Sequence, residues 1–259
     1  MTLAPDMQLS ALPAFSDNYI WLLRDPAGDA LVVDPGAAGP VEEALEAEHL
    51  RLRAILVTHH HPDHIGGVAE LLSRHDAVVY APHDPRIEPA HRRVGDGDEV
   101  RLQAPACQFR VIEVPGHTSS HIAYAGHGLL FCGDTLFSLG CGRLFEGTPA
   151  QMLASLDRLA ALPGETRVCC AHEYTRANAA FARSVEPGNP DLARRSAEID
   201  RLRAEGKPTV PSSLDQERAC NPFLRVDAPE IAAWAAARGA ASRVERFAAL
   251  RAGKDVFTA

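Results

Sequence analysis

Four side chains of types that bind metals occur within six residues of this sequence: His59, His61, Asp63 and His64. An apolar run typical of a strand ends just before them, and a helix is predicted to begin at about Asp63. In extended backbone alternate side chains share a face, so His59 and His61 can converge on one point while His60 points away. Since Asp63 and His64 then leave the loop in another direction, the four groups could serve two metal ions.

Three later strand-like runs also end in a metal-binding residue type, namely His117, Asp134 and His172. Ligands placed at strand ends meet at one edge of the sheets that carry them. Taken alone, each residue would be an ordinary structural group, and the first segment could be a solvated loop in which Asp63 only caps a helix. The coincidence of all these features favours a metal centre.

The elements that would position these residues are short strands alternating with helices, which predicts an α/β class. Apolar runs bounded by turn residues predict strands at 19–23, 30–33, 54–57, 77–80, 109–114, 129–132 and 167–170. Helical patterns lie at 41–48, 65–74 and 150–162. After His172 the Ala- and Arg-rich sequence predicts a helical carboxy-terminal region, with helices at 176–183, 191–205, 230–238 and 242–251.

Composition and charge limit the classes of function. The 259 residues are 46% hydrophobic and 23% charged, as in soluble globular proteins. The net charge of −8 argues against a nucleic-acid partner. Residues 1–175 hold 12 Lys and Arg against 23 Asp and Glu, a net of −11, whereas residues 176–259 hold 14 against 11, a net of +3. An acidic body therefore carries a mildly basic tail.

The cysteines and the amino terminus together predict a cytoplasmic protein. The six cysteines are scattered without a CxxC pair, which is the usage of a reduced compartment. Residues 1–6 lack the basic flank and the long apolar run of a signal peptide. No apolar run reaches the roughly 20 residues that span a bilayer, and no segment signals an interface. We therefore expect a monomer that binds no membrane.

The metal-binding segments resemble the metallo-β-lactamase superfamily in four places: Thr58-His59-His60-His61-Pro62-Asp63-His64, Gly116-His117, Gly133-Asp134 and the terminal His172. The resemblance implies an αββα sandwich of two mixed sheets between helices, with a two-metal site at one edge. It assigns one metal to His59, His61 and His117 and the other to Asp63, His64 and His172, with Asp134 bridging them. Zinc is the expected metal, although these ligand types also accept iron or manganese.

Other segments resemble glyoxalase II, the hydroxyacylglutathione hydrolases, almost from end to end. They are SDNYIW at 16–21, FCGDTLF at 131–137, GCGRLFEG at 140–147, AHEYT at 171–175, CNPFLR at 220–225 and RAGKD at 251–255. This resemblance implies a catalytic domain over residues 1–174 and a helical, glutathione-binding domain over residues 175–259. The smaller members of the superfamily lack such a tail.

The same resemblance implies which residues bind the substrate. Arg251 and Lys254 would hold the glycine carboxylate of glutathione, which suits the basic tail, and Tyr174 with Arg143 would line the groove. The family often has Lys at position 143, and some members have Tyr where Phe145 stands. One hydroxyl contact to the substrate is therefore absent here, which affects affinity and not the chemistry.

The implied reaction is hydrolysis of the thioester of S-D-lactoylglutathione to D-lactate and glutathione, a step of methylglyoxal detoxification. Metal ions lower the pKa of bound water to about 7, so a hydroxide bridging two metals would be present at neutral pH. Asp63 and Asp134 would orient that hydroxide toward the thioester carbonyl. Other 2-hydroxyacyl thioesters of glutathione stay open as substrates.

Three other interpretations fit the sequence less well. A persulfide dioxygenase of the same superfamily would use one iron on a similar segment, but the long tail with Arg251 and Lys254 disfavours it. A metal-dependent nuclease is disfavoured by the net charge and by a lysine content of only two, Lys207 and Lys254. A structural zinc site would be rich in cysteine, and the ligand set here contains none.

Overall fold

The computed structural model describes residues 7–88 and 90–258. Residues 1–6, on which part of the cytoplasmic expectation depends, lie outside the described residues. The chain divides into two compact units, of which unit 1 is Met1–Glu113 with Ser120–Gly133 and unit 2 is Val114–Ser119 with Asp134–Ala259. The expected domain boundary between residues 174 and 175 stays a prediction.

Unit 1 contains a six-stranded mixed sheet in the order β1-β2-β3-β4-β5-β6. Its first three strands are antiparallel, and the pairs from β3 to β6 are parallel. Central parallel strands need apolar residues on both faces, and every residue of β3 is buried. The strands are β1 (Gln8–Ala14), β2 (Asn18–Arg24), β3 (Asp29–Val33), β4 (Arg51–Leu56), β5 (Val78–Ala81) and β6 (Arg92–Arg93).

Three helices of unit 1 are connected to this sheet: α1 (Gly39–Ala47), α2 (Pro62–Ile65) and α3 (Val68–Arg74). Val41 of α1 and Leu71 of α3 lie in the same buried core cluster as Val32 and Ile55 of the central strands. The sequence pattern predicts a single helix over 65–74, but the structure has two, separated at Gly66 and Gly67. The loop after β4 therefore leads into the short helix α2, which is separate from α3.

Four antiparallel strands complete unit 1: β7 (Glu99–Gln103), β8 (Ala106–Glu113), β9 (Ile122–Gly126) and β10 (Leu129–Gly133). His127 and Gly128 join the last two strands with positive φ angles of 55° and 73°, as a tight type I′ hairpin requires. Tyr124 of β9 is fully buried, and its hydroxyl donates to the carbonyl oxygen of Val57 at 3.0 Å. This bond ties the four strands to the end of β4.

Unit 2 is mainly helical. Its short strands are β11 (Leu136–Phe137), β12 (Gly140–Cys141), β13 (Arg167–Cys170) and β14 (Ser212–Ser213), and its helices are α4 (Pro149–Ala160), α5 (Thr175–Val185), α6 (Pro190–Ala204), α7 (Leu214–Cys220), α8 (Pro229–Ala236) and α9 (Arg243–Asp255). Thr148 and Ser242 begin α4 and α9 with capping boxes, and Asn189 caps α6. The helices pack around buried aromatic rings, among them Phe181, Phe223 and Phe247.

All seven predicted strands and all predicted helices are present, with ends that differ by a few residues. The sequence pattern missed β1, β7, β9 and α7, which are short, half-buried or interrupted by Pro or Gly, and the two-residue strands β6, β11, β12 and β14. The six cysteines are buried and form no disulfide. Across the described part of the chain, no helix is both long and apolar enough to cross a membrane.

Candidate metal centre

In unit 1, the loop between β4 and α2 brings the first group of expected ligands together. His59 is fully buried, and its Nε2 lies 3.1 Å from Nδ1 of His61. His61 precedes Pro62 and is extended, with φ −62° and ψ 145°, because a following proline disfavours the helical conformation. The alternation expected from the sequence therefore holds, and His60 is directed elsewhere, with its Nδ1 3.5 Å from Oδ2 of Asp84.

Asp34 holds Thr58 and His64 in place, although it is not among the candidate residues that the sequence indicates. Its carboxylate accepts hydrogen bonds from the backbone N–H and the hydroxyl of Thr58, both at 2.7 Å. Nδ1 of His64 lies 3.1 Å from Oδ2 of Asp34, while Nε2 of His64 lies 3.4 Å from Oδ2 of Asp63. A carboxylate on one ring nitrogen fixes the tautomer, so the other nitrogen carries the lone pair that a metal needs.

The sequence signal for Asp34 was available, because it follows β3 directly, just as the other expected ligands follow their strands. Its partner Thr58 also lies 3.0 Å from Nδ1 of His59 through its hydroxyl oxygen. Since that hydroxyl donates to Asp34, the His59 ring donates to it in turn. Nε2 of His59 is thereby the lone-pair nitrogen as well.

Asp63 is held by the Asn18 side chain, which donates to its Oδ2 at 3.0 Å. This contact explains the SDNYIW motif, whose role the sequence alone did not reveal. Gly36 packs so closely against the loop that a Cβ there would lie 1.9 Å from the carbonyl oxygen of Asp63. Only glycine fits at that position.

His121 is fully buried and stacks on the ring of His59, with centroids 4.5 Å apart and an interplanar angle of 19°. From the sequence, in which His121 follows His117 by one helical turn, a position on the surface and a position beside the proposed ligands are both open. The structure excludes the surface. Gly133 has a φ of 47°, and a Cβ on it would lie 2.3 Å from Oγ1 of Thr58 and 2.9 Å from the His121 ring.

In unit 2, Asp134 lies between two histidines. Its Oδ2 is 3.4 Å from Nε2 of His117, and its Oδ1 is 3.4 Å from Nε2 of His172. All three residues are buried. Nδ1 of His117 lies 2.9 Å from the carbonyl oxygen of Arg143, which can only accept, so Nε2 faces Asp134 as the lone-pair nitrogen. The two oxygens of one carboxylate thus address two different imidazoles.

These donor atoms fit a metal site. Two ligands held about 2.1 Å from a tetrahedral metal lie about 3.4 Å apart, and the four donor pairs just described are 3.1 to 3.4 Å apart. The groups are imidazole and carboxylate, which divalent metals accept. Each unit thus contains neighbouring donor groups of the types that divalent metals accept.

Two aromatic side chains border the histidines of unit 2. The ring of Tyr174 stacks on His172 at a centroid distance of 4.7 Å, and the ring of Phe145 packs edge-on against His117 at 5.1 Å. Phe145 is 62% exposed and Tyr174 is 38% exposed. Both rings are therefore available to a molecule that approaches the histidines.

Three of the expected substrate residues, Arg143, Arg251 and Lys254, lie close together in unit 2 with the carboxylate of Asp255. These four residues are called the cationic cluster. A cation near the end of a helix is usually solvated, but Arg251 is buried, and its Nη1 donates to the carbonyl oxygen of Cys141 at 2.6 Å. Burial lowers the pKa of Lys254, and the positive charges of Arg251 and Arg143 lower it further. The cluster carries three positive groups against one negative group.

The amino-acid sequence matches two protein-family models that follow one another along the chain. Residues 15–172 match the model of the metallo-beta-lactamase superfamily, and residues 173–257 match that of the hydroxyacylglutathione hydrolase C-terminus. A B3 metallo-beta-lactamase, BLEG-1, shares the fold with a TM-score of 0.63 at 24% identity, over 84% of this chain and 99% of its own. The chain belongs to the metallo-β-lactamase superfamily.

Sequence relatives narrow the assignment. A hydroxyacylglutathione hydrolase of Xanthomonas campestris pv. campestris (strain B100) is 56% identical over 98% of this chain and 100% of its own length. One from Cupriavidus metallidurans is 52% identical over 97% of this chain and 99% of its own. Within the superfamily, this chain is therefore a thioester hydrolase of the hydroxyacylglutathione hydrolase (glyoxalase II) type, and the alternatives are not favoured.

Two further solved structures share the fold. ETHE1 from Myxococcus xanthus has a TM-score of 0.58 at 29% identity, over 83% of this chain and 99% of its own. The protein TTHA1623, solved in a di-iron-bound form, has a TM-score of 0.53 at 29% identity, over 64% of this chain and 91% of its own. At least one protein with this fold therefore holds two irons.

Proposed function

We propose that the chain hydrolyses S-D-lactoylglutathione at a centre of two divalent metal ions, most readily zinc. The observation that carries the proposal is the placement of Asp134, whose two oxygens lie 3.4 Å from the Nε2 atoms of two different histidines. A carboxylate in that position suits a bridge between two metals. The names of the close relatives support the substrate.

Seven residues would hold the two metals: His59, His61, Asp63, His64, His117, Asp134 and His172. When bound, the metals would supply hydroxide at neutral pH and polarise the thioester carbonyl. Asp63 and Asp134 would orient the attacking oxygen by hydrogen bonding. Asp34 and Asn18 would keep His64 and Asp63 in place, because rigid surroundings hold reacting groups at the productive distance.

The substrate would be held mainly by charge. Its two carboxylates fit a cluster in which three cations face one acid, and the glycine carboxylate would lie against Arg251 and Lys254. Tyr174 and Phe145 would flank the acyl group near the histidines, because both rings pack against them. The thiolate of glutathione is a good leaving group, so its departure needs little help from an acid.

Parallel assays of one purified sample test the activity. Loss of thioester absorbance with S-D-lactoylglutathione is expected, together with no oxygen consumption on glutathione persulfide and no cleavage of RNA. Oxygen consumption without hydrolysis would support the dioxygenase alternative, and RNA cleavage with a steep salt dependence would support the nuclease. Removal of metal by a chelator should abolish hydrolysis, and adding back zinc, iron or manganese separately should identify the metals that restore it.

The remaining parts of the proposal concern the whole protein. We infer a cytoplasmic enzyme that acts as a monomer and has no nucleic-acid or membrane partner. The reduced, buried cysteines and the acidic net charge support this view. Sedimentation of the purified chain would measure the oligomeric state directly.

A further inference from the structure

Asp255 stands at a position that a helix disfavours. It is the last residue of α9, where the negative end of the helix dipole repels a carboxylate. Its Oδ1 lies 3.0 Å from Nη2 of Arg251 and 3.6 Å from Nε of Arg143. An exposed acid therefore lies against both arginines that the proposed function gives to the substrate.

Asp255 is not needed to fix Arg251. The Arg251 guanidinium is already held by the carbonyl oxygen of Cys141, and it packs over the ring of Phe223 at 5.3 Å. The Asp255 side chain is 41% exposed and that of Arg143 is 64% exposed. Other contacts therefore fix Arg251, and Arg143 extends into solvent. The Asp255 side chain can adopt another rotamer without disturbing the buried core.

We propose that Asp255 is an internal competitor for the substrate's carboxylate. In the free enzyme it pairs with Arg251 and Arg143, and a bound glutathione carboxylate takes its place on the same guanidinium groups. Both groups are carboxylates that pair with the same guanidinium groups, so the substrate can form these ion pairs only when Asp255 gives them up. Asp255 thereby weakens the binding of substrate and of the product glutathione alike, and it speeds product release. This inference rests on the proposed function of the cationic cluster.

The test compares Asp255→Asn with the unaltered enzyme. Asn keeps the size of the side chain and removes its charge. The pair of Asp255 with Arg143 is exposed, and exposed ion pairs contribute up to about 1 kcal/mol, so we expect the KM for S-D-lactoylglutathione and the inhibition constant of glutathione to fall together by up to about fivefold. S-D-lactoyl-N-acetylcysteamine has the same thioester and no carboxylate, and its kcat/KM should not change.

Asp200→Asn is the matched control, since it removes the same charge from an exposed pair with Arg176 in the same unit and should leave KM unchanged. A KM that rises or stays constant in Asp255→Asn would overturn the proposal. Lys254→Gln separates this failure from that of the proposed function. If Lys254→Gln raises KM while Asp255→Asn does not lower it, only the competitor role is wrong; if neither changes KM, the cluster does not bind the substrate.

Discussion

The histidine loop of unit 1 and the cationic cluster of unit 2 are built in opposite ways. The loop, residues 58–64, is continuous in sequence, and its histidines are fixed by Thr58 and Asp34. The cluster joins Arg143 to residues more than 100 positions later, and its charges are partly exposed. The proposed metal ligands of the loop are thus held by hydrogen bonds to buried groups, whereas the proposed substrate-binding charges lie partly on exposed side chains.

This contrast predicts that changes among the proposed metal ligands remove activity, whereas changes in the cluster alter affinity. The largest effect is expected from Asp134→Ala. Losing a bridging carboxylate should reduce both occupancy by the second metal and kcat, by at least about a hundredfold, because a bound metal contributes several kcal/mol to the transition state. Turnover and metal content measured on the same preparation check this. Full activity with two bound metals would contradict the assignment.

The second-largest effect is expected from Asp34, whose carboxylate contacts Thr58 and His64. Asp34→Asn should lower metal affinity or activity by about ten- to a hundredfold, as is usual for a group that orients a ligand histidine. Asp29→Asn is the control, because Asp29 begins the same strand but pairs with Arg51 and Arg53. Metal titration followed by activity distinguishes the two. Equal losses in both variants would mean that Asp34 acts only through stability.

In the cluster, Lys254→Ala should raise KM about tenfold and lower kcat little, because this cation binds ground state and transition state alike. Lys207, the other lysine of the chain, pairs with Glu205 in the tail and gives the matched control Lys207→Ala. An unchanged KM in Lys254→Ala would show that the tail does not hold the substrate.

The pH dependence of KM gives a finer test. Burial and the neighbouring arginines lower the pKa of Lys254, so its charge is lost at a lower pH than that of an ordinary lysine. KM should therefore be constant at neutral pH and rise as the pH increases through that pKa. In Lys254→Ala the rise should disappear. A rise of the same size in both proteins would assign it to another group.

The smallest effect is expected at Phe145, which packs on His117. Phe145→Tyr should lower KM by a fewfold, since a new hydrogen bond contributes about 0.5–1.5 kcal/mol. Steady-state kinetics at fixed metal content measures it. A larger KM would mean that the hydroxyl finds no partner on the substrate.

The same contrast explains what the sequence could predict. The proposed ligands His59, His61, Asp63 and His64 lie within six residues, and the other three follow recognisable strands, so spacing and strand ends were enough to propose them. Asp34 and Asn18 act on residues 30 to 45 positions away, and only the pairing of β3 with β4 and β2 with β3 brings them near. Patterns within one segment do not contain that information.

Burial was also hard to foresee in the tail. Arg251 looks like a solvated cation on a helix, yet the carbonyl oxygen of Cys141 and the ring of Phe223 enclose it. The strands β1 and β7 were missed because half-buried edge strands lack the strong apolar runs of the central ones. The burial of Arg251 and the positions of these edge strands both depend on tertiary packing. A local sequence pattern does not contain that information.

The central claim is that two metals held by these seven residues hydrolyse a glutathione thioester. Its most direct test is turnover of S-D-lactoylglutathione by the purified chain, with metal content determined on the same sample across a titration from the metal-free protein. Activity should rise with bound metal and reach its maximum close to two ions per chain. Full hydrolysis at one ion per chain, or none at two, would contradict the account.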